Sequence, residues 1–225
     1  MKKIALLLGI ITLCLLAVTG CSAAQEPSSS VISETSPRKV YTPTMFPFTD
    51  DKGRLILKSV GSPQFEWAMD ITTPEKVAKS ADIIVVGKIT KVEKTIYVND
   101  VCATYLSIQC SQVIKGNPSK TFTFITMGGY MPYQEFMNRW GESAEKEYAN
   151  LTKDQKNIAY FLFQPDDMNL PEMGEQYLLL LKNNGNNPPT VVGTYHGLFR
   201  IEGDKAYQTW SGGGVSLNDL LAKVR

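Results

Sequence analysis

Histidine is almost missing from this chain of 225 residues: His196 is the only one. That scarcity narrows the chemistry. A Ser-His-Asp triad would have to use His196, and no G-x-S-x-G elbow accompanies it. A protein zinc site takes three or four ligands, which one histidine and the few thiols do not supply. No metal, cofactor or enzymatic activity is therefore expected. His196, beside Gly197 in "YHGLF", reads as a hydrogen-bonded structural or surface residue near a strand turn. An excess of charge is also lacking, since 23 basic residues face 22 acidic ones and the formal net charge is +1. Nucleic-acid binders concentrate basic residues in a patch, so nucleic acid is not an expected partner. Past the N-terminus no apolar run has the roughly 20 residues a membrane helix needs.

Cysteine is scarce too, at four, but the position of one is informative. Lys2 and Lys3 form a positive start, Ile4 to Val18 an apolar run of about 15 residues, and small residues then precede Cys21. Val18-Thr19-Gly20-Cys21 resembles the lipobox of bacterial lipoproteins. The resemblance implies a signal peptide over 1–20, a diacylglyceryl group on Cys21, and a location on the extracytoplasmic face of the cell membrane. Two acyl chains hold a protein stably where one holds it marginally. Residues 21–40, with "SAAQEPSSSVISETSPRK", contain few large apolar side chains and read as a flexible tether.

Residues 41–225 read as one globular domain with an N-terminal extension and a C-terminal helix. Arg54 to Val60 has a short strand pattern. Thr73 and Pro74 are good N-cap and first-turn residues for a helix ending before Ala81. "ADIIVVGKITKVEKTIYV" is a long strand in which Gly87 signals a bulge or a close backbone approach. "CATYLSIQCSQVIKG" returns with Leu106, Ile108, Cys102 and Cys110 on one face. On one strand the two thiols lie ~26 Å apart, at ~3.3 Å per residue, too far for a disulfide. They read as buried apolar thiols. "TFTFITM" is a third strand. Phe136, Met137, Trp140, Ala144 and Tyr148 recur at helical spacing, predicting a helix over 133–149 weakened by Gly141. "NIAYFLFQ" reads as an edge strand and "EQYLLLLK" as a buried one. "TVVGTYHGLFRI" and "KAYQTW" close the sheet, and Ser216 caps a final helix striped with Leu217, Leu220, Leu221 and Val224.

The expected fold is thus mainly β with flanking helices: a meander, a helix between strands 3 and 4, and closing strands. This is the order of an OB-fold-like Greek-key barrel. "SADIIVVGKITKV", "CSQVIKG", Gly128-Gly129, "GEQYLLLLK" and "YHGLFRI" together resemble largely uncharacterised bacterial exported proteins, which are similar in fold to tissue inhibitors of metalloproteinases and netrin modules. The inhibitors' mechanism uses a free N-terminal cysteine and does not carry over, because Cys21 would be lipidated and lies far from the barrel in sequence, and the family's disulfides have no partners here.

Other motifs are weak. Ser143 and Lys146 match S-x-x-K without the companion motifs. Asp166, Asp167 and Asn169 lack the pattern of a calcium loop and read as a solvated turn, as do Asp50 and Asp51. The most suggestive feature is aromatic. Tyr130 and Tyr133 flank Met131-Pro132 after Gly128-Gly129, where exposed rings on a loop could bind a ligand. Trp140 is expected in the core. The favoured function is a non-enzymatic, lipid-anchored module that binds a protein, peptide or envelope polymer. The alternatives are an envelope enzyme with a site near His196 and a structural or assembly subunit.

Overall fold

The computed structural model describes residues 46–61, 70–98, 101–164, 170–208 and 213–225. Cys21, the lipobox, the tether and the Asp166–Asn169 turn lie outside the described residues. The elements run in the order β1 (Phe48–Thr49), β2 (Leu55–Gly61), α1 (Pro74–Ser80), β3 (Ile83–Val98), β4 (Val101–Lys115), β5 (Thr121–Met127), β6 (Gly129–Pro132), α2 (Tyr133–Trp140), α3 (Glu142–Glu147), α4 (Lys153–Ile158), β7 (Ala159–Gln164), β8 (Gln176–Asn184), β9 (Asn187–Val191), β10 (Leu198–Glu202), β11 (Lys205–Gln208), β12 (Gly214–Ser216) and α5 (Leu217–Val224). No helix among the described residues is long and apolar enough to cross a membrane.

The strands form two sheets, β1-β2-β7-β6 and β12-β11-β10-β8-β3-β4-β5-β9. In the larger sheet β8 also pairs with β9, so the path β8-β3-β4-β5-β9 returns to its start. The closure is partial, since β5 and β9 share a single registered pair, Ile125 with Thr190. The expected mainly β architecture with flanking helices is present. The connection after the third strand differs from expectation. Where one helix and an edge strand are expected, β6, α2, α3, α4 and β7 intervene between β5 and β8.

Alternation explains β4, whose even-numbered residues from Cys102 to Cys110 are buried. Both cysteines are free, as expected. β8 has no alternation because both of its faces are covered. Tyr177, Leu179 and Leu181 point into the core of the partly closed sheet. Leu178 and Leu180 pack outward with Val77 of α1 and with Leu220 and Val224 of α5. Each such side chain contributes about 1.5–3 kcal/mol when fully buried. β3 carries four register shifts against β4, and such bulges bend a strand and raise its twist. At Gly87 a Cβ would stand 2.6 Å from the Gln109 carbonyl oxygen, so a close approach and a bulge coincide there.

The smaller sheet packs across the larger one. Ile56 and Leu162 join the core beside Val85, Leu106 and Phe124. Its other face holds Leu57, Met131, Phe161 and Phe163 against Tyr133 and Met137 of α2. β7 is therefore not an edge strand. It lies between β2, which it pairs in parallel, and β6. The expected single helix over 133–149 is split at Gly141, which takes φ +67°, a conformation glycine adopts at no steric cost. α4 was not anticipated. Its start is a capping box in which the Thr152 side chain accepts from the Gln155 backbone and the Gln155 side chain accepts from the Thr152 backbone.

Candidate functional site

The site begins with a turn. Between β1 and β2, Asp50 Oδ1 accepts from the backbone N–H groups of Lys52 and Arg54 at 3.0 and 2.8 Å. Gly53 turns the chain at φ +74°. Asp50 Oδ2 accepts from Arg54 Nε at 2.6 Å. Asp50 does form a turn, as expected, but not a solvated one, for its side chain is only 5% exposed. Burial pushes its carboxyl up, yet the Arg54 backbone and guanidinium outweigh that and hold it below the ordinary value. Arg54 is thereby fixed at two points. Its guanidinium carbon lies 3.6 Å from the centroid of the Tyr130 ring, a cation–π contact that orients the group further.

This arginine reaches a cavity of about 200 Å³ between the two sheets. Val92 and Thr95 of β3 and Thr104 of β4 line it, with Thr126 of β5, Tyr130 of β6 and Tyr160 of β7. Leu170 and Pro171 add apolar surface and Lys52 sits at one side. Thr104 and Thr126 are register partners. Thr104 Oγ1 donates to the Gly128 carbonyl at 2.7 Å. That leaves it to accept from Thr95 Oγ1 at 3.0 Å. At Gly129 a Cβ would fall 2.3 Å from Thr104 Oγ1, so the small residue keeps this wall in place. Thr126 is different: it is 2% exposed, and its hydroxyl has no hydrogen-bond partner. A desolvated hydroxyl without a partner costs ~1–3 kcal/mol. Val92, 48% exposed, is an apolar residue left open to solvent at this cavity. Lys52 Nζ lies 2.7 Å from Glu172 Oε2.

The two expected binding tyrosines part company. Tyr130 is half-buried on β6, paired with Leu162, and lines the cavity. Tyr133 is not an exposed loop residue. It opens α2, is 4% exposed, and packs on Phe161 and Tyr148. The reason is that Gly129–Pro132 forms a strand on β7 rather than a loop, which delivers the next residue into the core. Phe136 stacks on Phe161 at 3.6 Å and on Trp140 at 4.2 Å. Trp140 is half-buried, with its ring meeting Tyr97 edge-on at 5.0 Å.

The remaining candidates do not converge. His196 Nδ1 donates to the Gly193 carbonyl at 2.9 Å, and its ring stacks on Tyr195. This binds it into its own turn, away from the residues of the cavity. Lys146 lies on α3, and the side chain of Ser143 lies outside the described residues. Among the described residues no group of three or more His, Cys, Asp or Glu could hold a metal ion. Arg54 and Thr126 were not singled out as site residues by sequence reasoning, and Asp50 was read only as part of a turn. For Asp50 a signal existed, since an aspartate two residues before a lysine and three before a glycine is a turn pattern. Nothing local marks Thr126 within "TFTFITM". Compared with protein-family models, curated proteins and solved structures, the chain finds no significant match.

Proposed function

We propose that this protein is a binding module of the bacterial envelope. It is held on the extracytoplasmic face of the membrane by a lipid on Cys21, and it takes its ligand in the cavity between the two sheets. The observation that carries the reading is the cavity's wall: a pinned, stacked Arg54 together with the buried and partnerless Thr126 hydroxyl. Of the partnerless buried hydroxyls among the described residues, those of Thr126, Tyr133 and Thr194, that of Thr126 is the one whose residue lines the cavity.

The finer fold assignment belongs to the same proposal. An antiparallel meander, followed by a strand antiparallel to its first member and another parallel to its third, supports an OB-fold barrel of the inhibitor and netrin type. On that assignment Thr104 and Thr126 lie on the second and third strands, the face on which OB-folds take ligands. A binding role is favoured over catalysis because the lone histidine bonds the Gly193 carbonyl of its own turn and stacks on Tyr195.

The test is capture by cross-linking in intact cells, comparing the anchored protein with Val92→Glu. A carboxylate at this half-exposed position obstructs the cavity with little effect on the core, where surface changes stay within about 0.5 kcal/mol. Capture of the partner by the unchanged protein and its loss in the variant is the expected result. Equal capture by both would sink the cavity as the binding site.

A further inference from the structure

We infer that the ligand of this cavity presents a single carboxylate on a compact apolar body, a deduction that rests on the binding reading above. The donors come first. Arg54 uses its backbone N–H and Nε on Asp50, while its two terminal nitrogens meet no acceptor among the described residues. A guanidinium edge held in this way matches two oxygens of a carboxylate or a phosphate, and the charge around it decides between them. The Thr126 hydroxyl is a second group in want of a partner on the same wall. A ligand oxygen supplies one.

Charge limits the ligand to one negative group. The two cations that line the cavity are each paired with a carboxylate beside it, Lys52 with Glu172 and Arg54 with Asp50. A dianion such as a phosphate monoester would meet uncompensated repulsion from the two carboxylates, whereas a monoanion held on the guanidinium edge is tolerated. Size and lining set the rest of the molecule. A dry apolar cavity of about 150 Å³ admits a benzene ring, and this one measures about 200 Å³. Val92, Leu170, Pro171 and Tyr160 supply the apolar wall. One ring or branched chain with a carboxylate fills the space. Such a group can be a free aromatic or aliphatic acid, or the last residue of a peptide.

The experiment is calorimetric titration of the purified protein with phenylacetate, with phenylacetamide as the neutral isostere, and with N-acetyl-glycyl-phenylalanine as the free acid and as its amide. In the unchanged protein each acid should bind at least about ten-fold more tightly than its amide, the difference one charge-assisted bidentate contact makes. Arg54→Lys keeps the charge but loses the planar edge and should abolish that preference. Thr126→Val should weaken the acids without lowering the melting temperature, so the lost binding is not a lost fold, and it keeps the test decisive where Arg54→Lys fails to fold. Tighter binding of the peptide acid than of phenylacetate assigns the carboxylate to a chain end, and the reverse assigns it to a free acid. Equal binding of acid and amide overturns the inference, as does an acid preference that survives Arg54→Lys. So does the absence of binding by either acid at about 10 mM, a level well above a millimolar Kd. If no acid binds while Val92→Glu still abolishes capture in cells, the carboxylate is wrong and the binding reading stands. If Val92→Glu leaves capture intact, the binding reading itself is gone.

Discussion

Tyr133 separates a core role from a ligand-binding role more sharply than any other residue, and two substitutions there give opposite signs. The ring is 4% exposed and packs against Phe161, with centroids 6.5 Å apart, and edge-on against Tyr148 at 6.5 Å. The hydroxyl, by contrast, is buried with no hydrogen-bond partner. An aromatic side chain of this size buries roughly 150–250 Å², worth about 4–6 kcal/mol at ~25 cal/mol per Å². Tyr133→Ala should therefore cost about 3–5 kcal/mol, the usual range for deleting a buried ring. Tyr133→Phe removes only an unsatisfied hydroxyl, and should be neutral or stabilising by up to ~1 kcal/mol. Urea unfolding read by tryptophan fluorescence measures both, with Trp140 two rings away through Phe136 and Phe161. In a domain of this size 1 kcal/mol moves the melting temperature by roughly 2–4 °C, so the alanine variant should melt roughly 10 °C lower. A cost under about 1 kcal/mol for alanine would refute the placement of Tyr133 in the core. A phenylalanine variant weaker than the parent by more than ~1 kcal/mol would show that the hydroxyl is bonded after all.

Three further residues, Cys102, Gly129 and Cys21, carry testable outcomes. Burial, with a smaller contribution from Glu135, pushes the Cys102 thiol from its ordinary 9.0 up to about 12. Between those values the unfolded chain has lost the proton and the native one keeps it, so stability should fall as pH rises, by at most ~1.4 kcal/mol per unit. The same burial should protect Cys102 from thiol reagents until the protein unfolds, and a mass two hydrogens short in protein isolated without reductant would show that it is paired with Cys110. Gly129→Ala should destabilise the protein by about 1–3 kcal/mol or more, because its Cβ would collide with the Thr104 hydroxyl at 2.3 Å; a melting curve unchanged from the parent would contradict the geometry of that wall. Cys21→Ser should release the protein from membranes by removing the acyl chains, and a variant that still sediments with membranes in high salt would contradict the lipid anchor.

Where local chemistry decided structure, it was visible in the sequence. Thr73-Pro74 starts α1, and the Thr73 side chain accepts from the Lys76 backbone. Ser216 caps α5, and Leu220 and Val224 face the core. Period-two burial in β4 placed both thiols correctly. The failures share a cause. Gly128-Gly129 has the composition of a loop, and what makes Gly129–Pro132 a strand is its partner β7, thirty residues on. β7 resembled an edge because nothing local announces the parallel pairing with β2, about one hundred residues earlier. The cavity depends on that same pairing. It joins the Arg54 turn to Thr126 and Tyr130, which no periodicity links. α4 is an exception, since Thr152 and Gln155 already spell a capping box.

The most direct measurement is a methyl NMR titration of the purified protein with a panel of small aromatic and aliphatic acids and amides. The methyl groups of Val92, Thr95, Thr104, Thr126 and Leu170 report on the cavity, while those of Val77, Leu220 and Val224 report on the helix-covered face of the larger sheet. The account predicts saturable shifts at the first group, largest at Thr126, with the second group unmoved. Shifts confined to the second group, or none at Thr126 with any member of the panel, would contradict it.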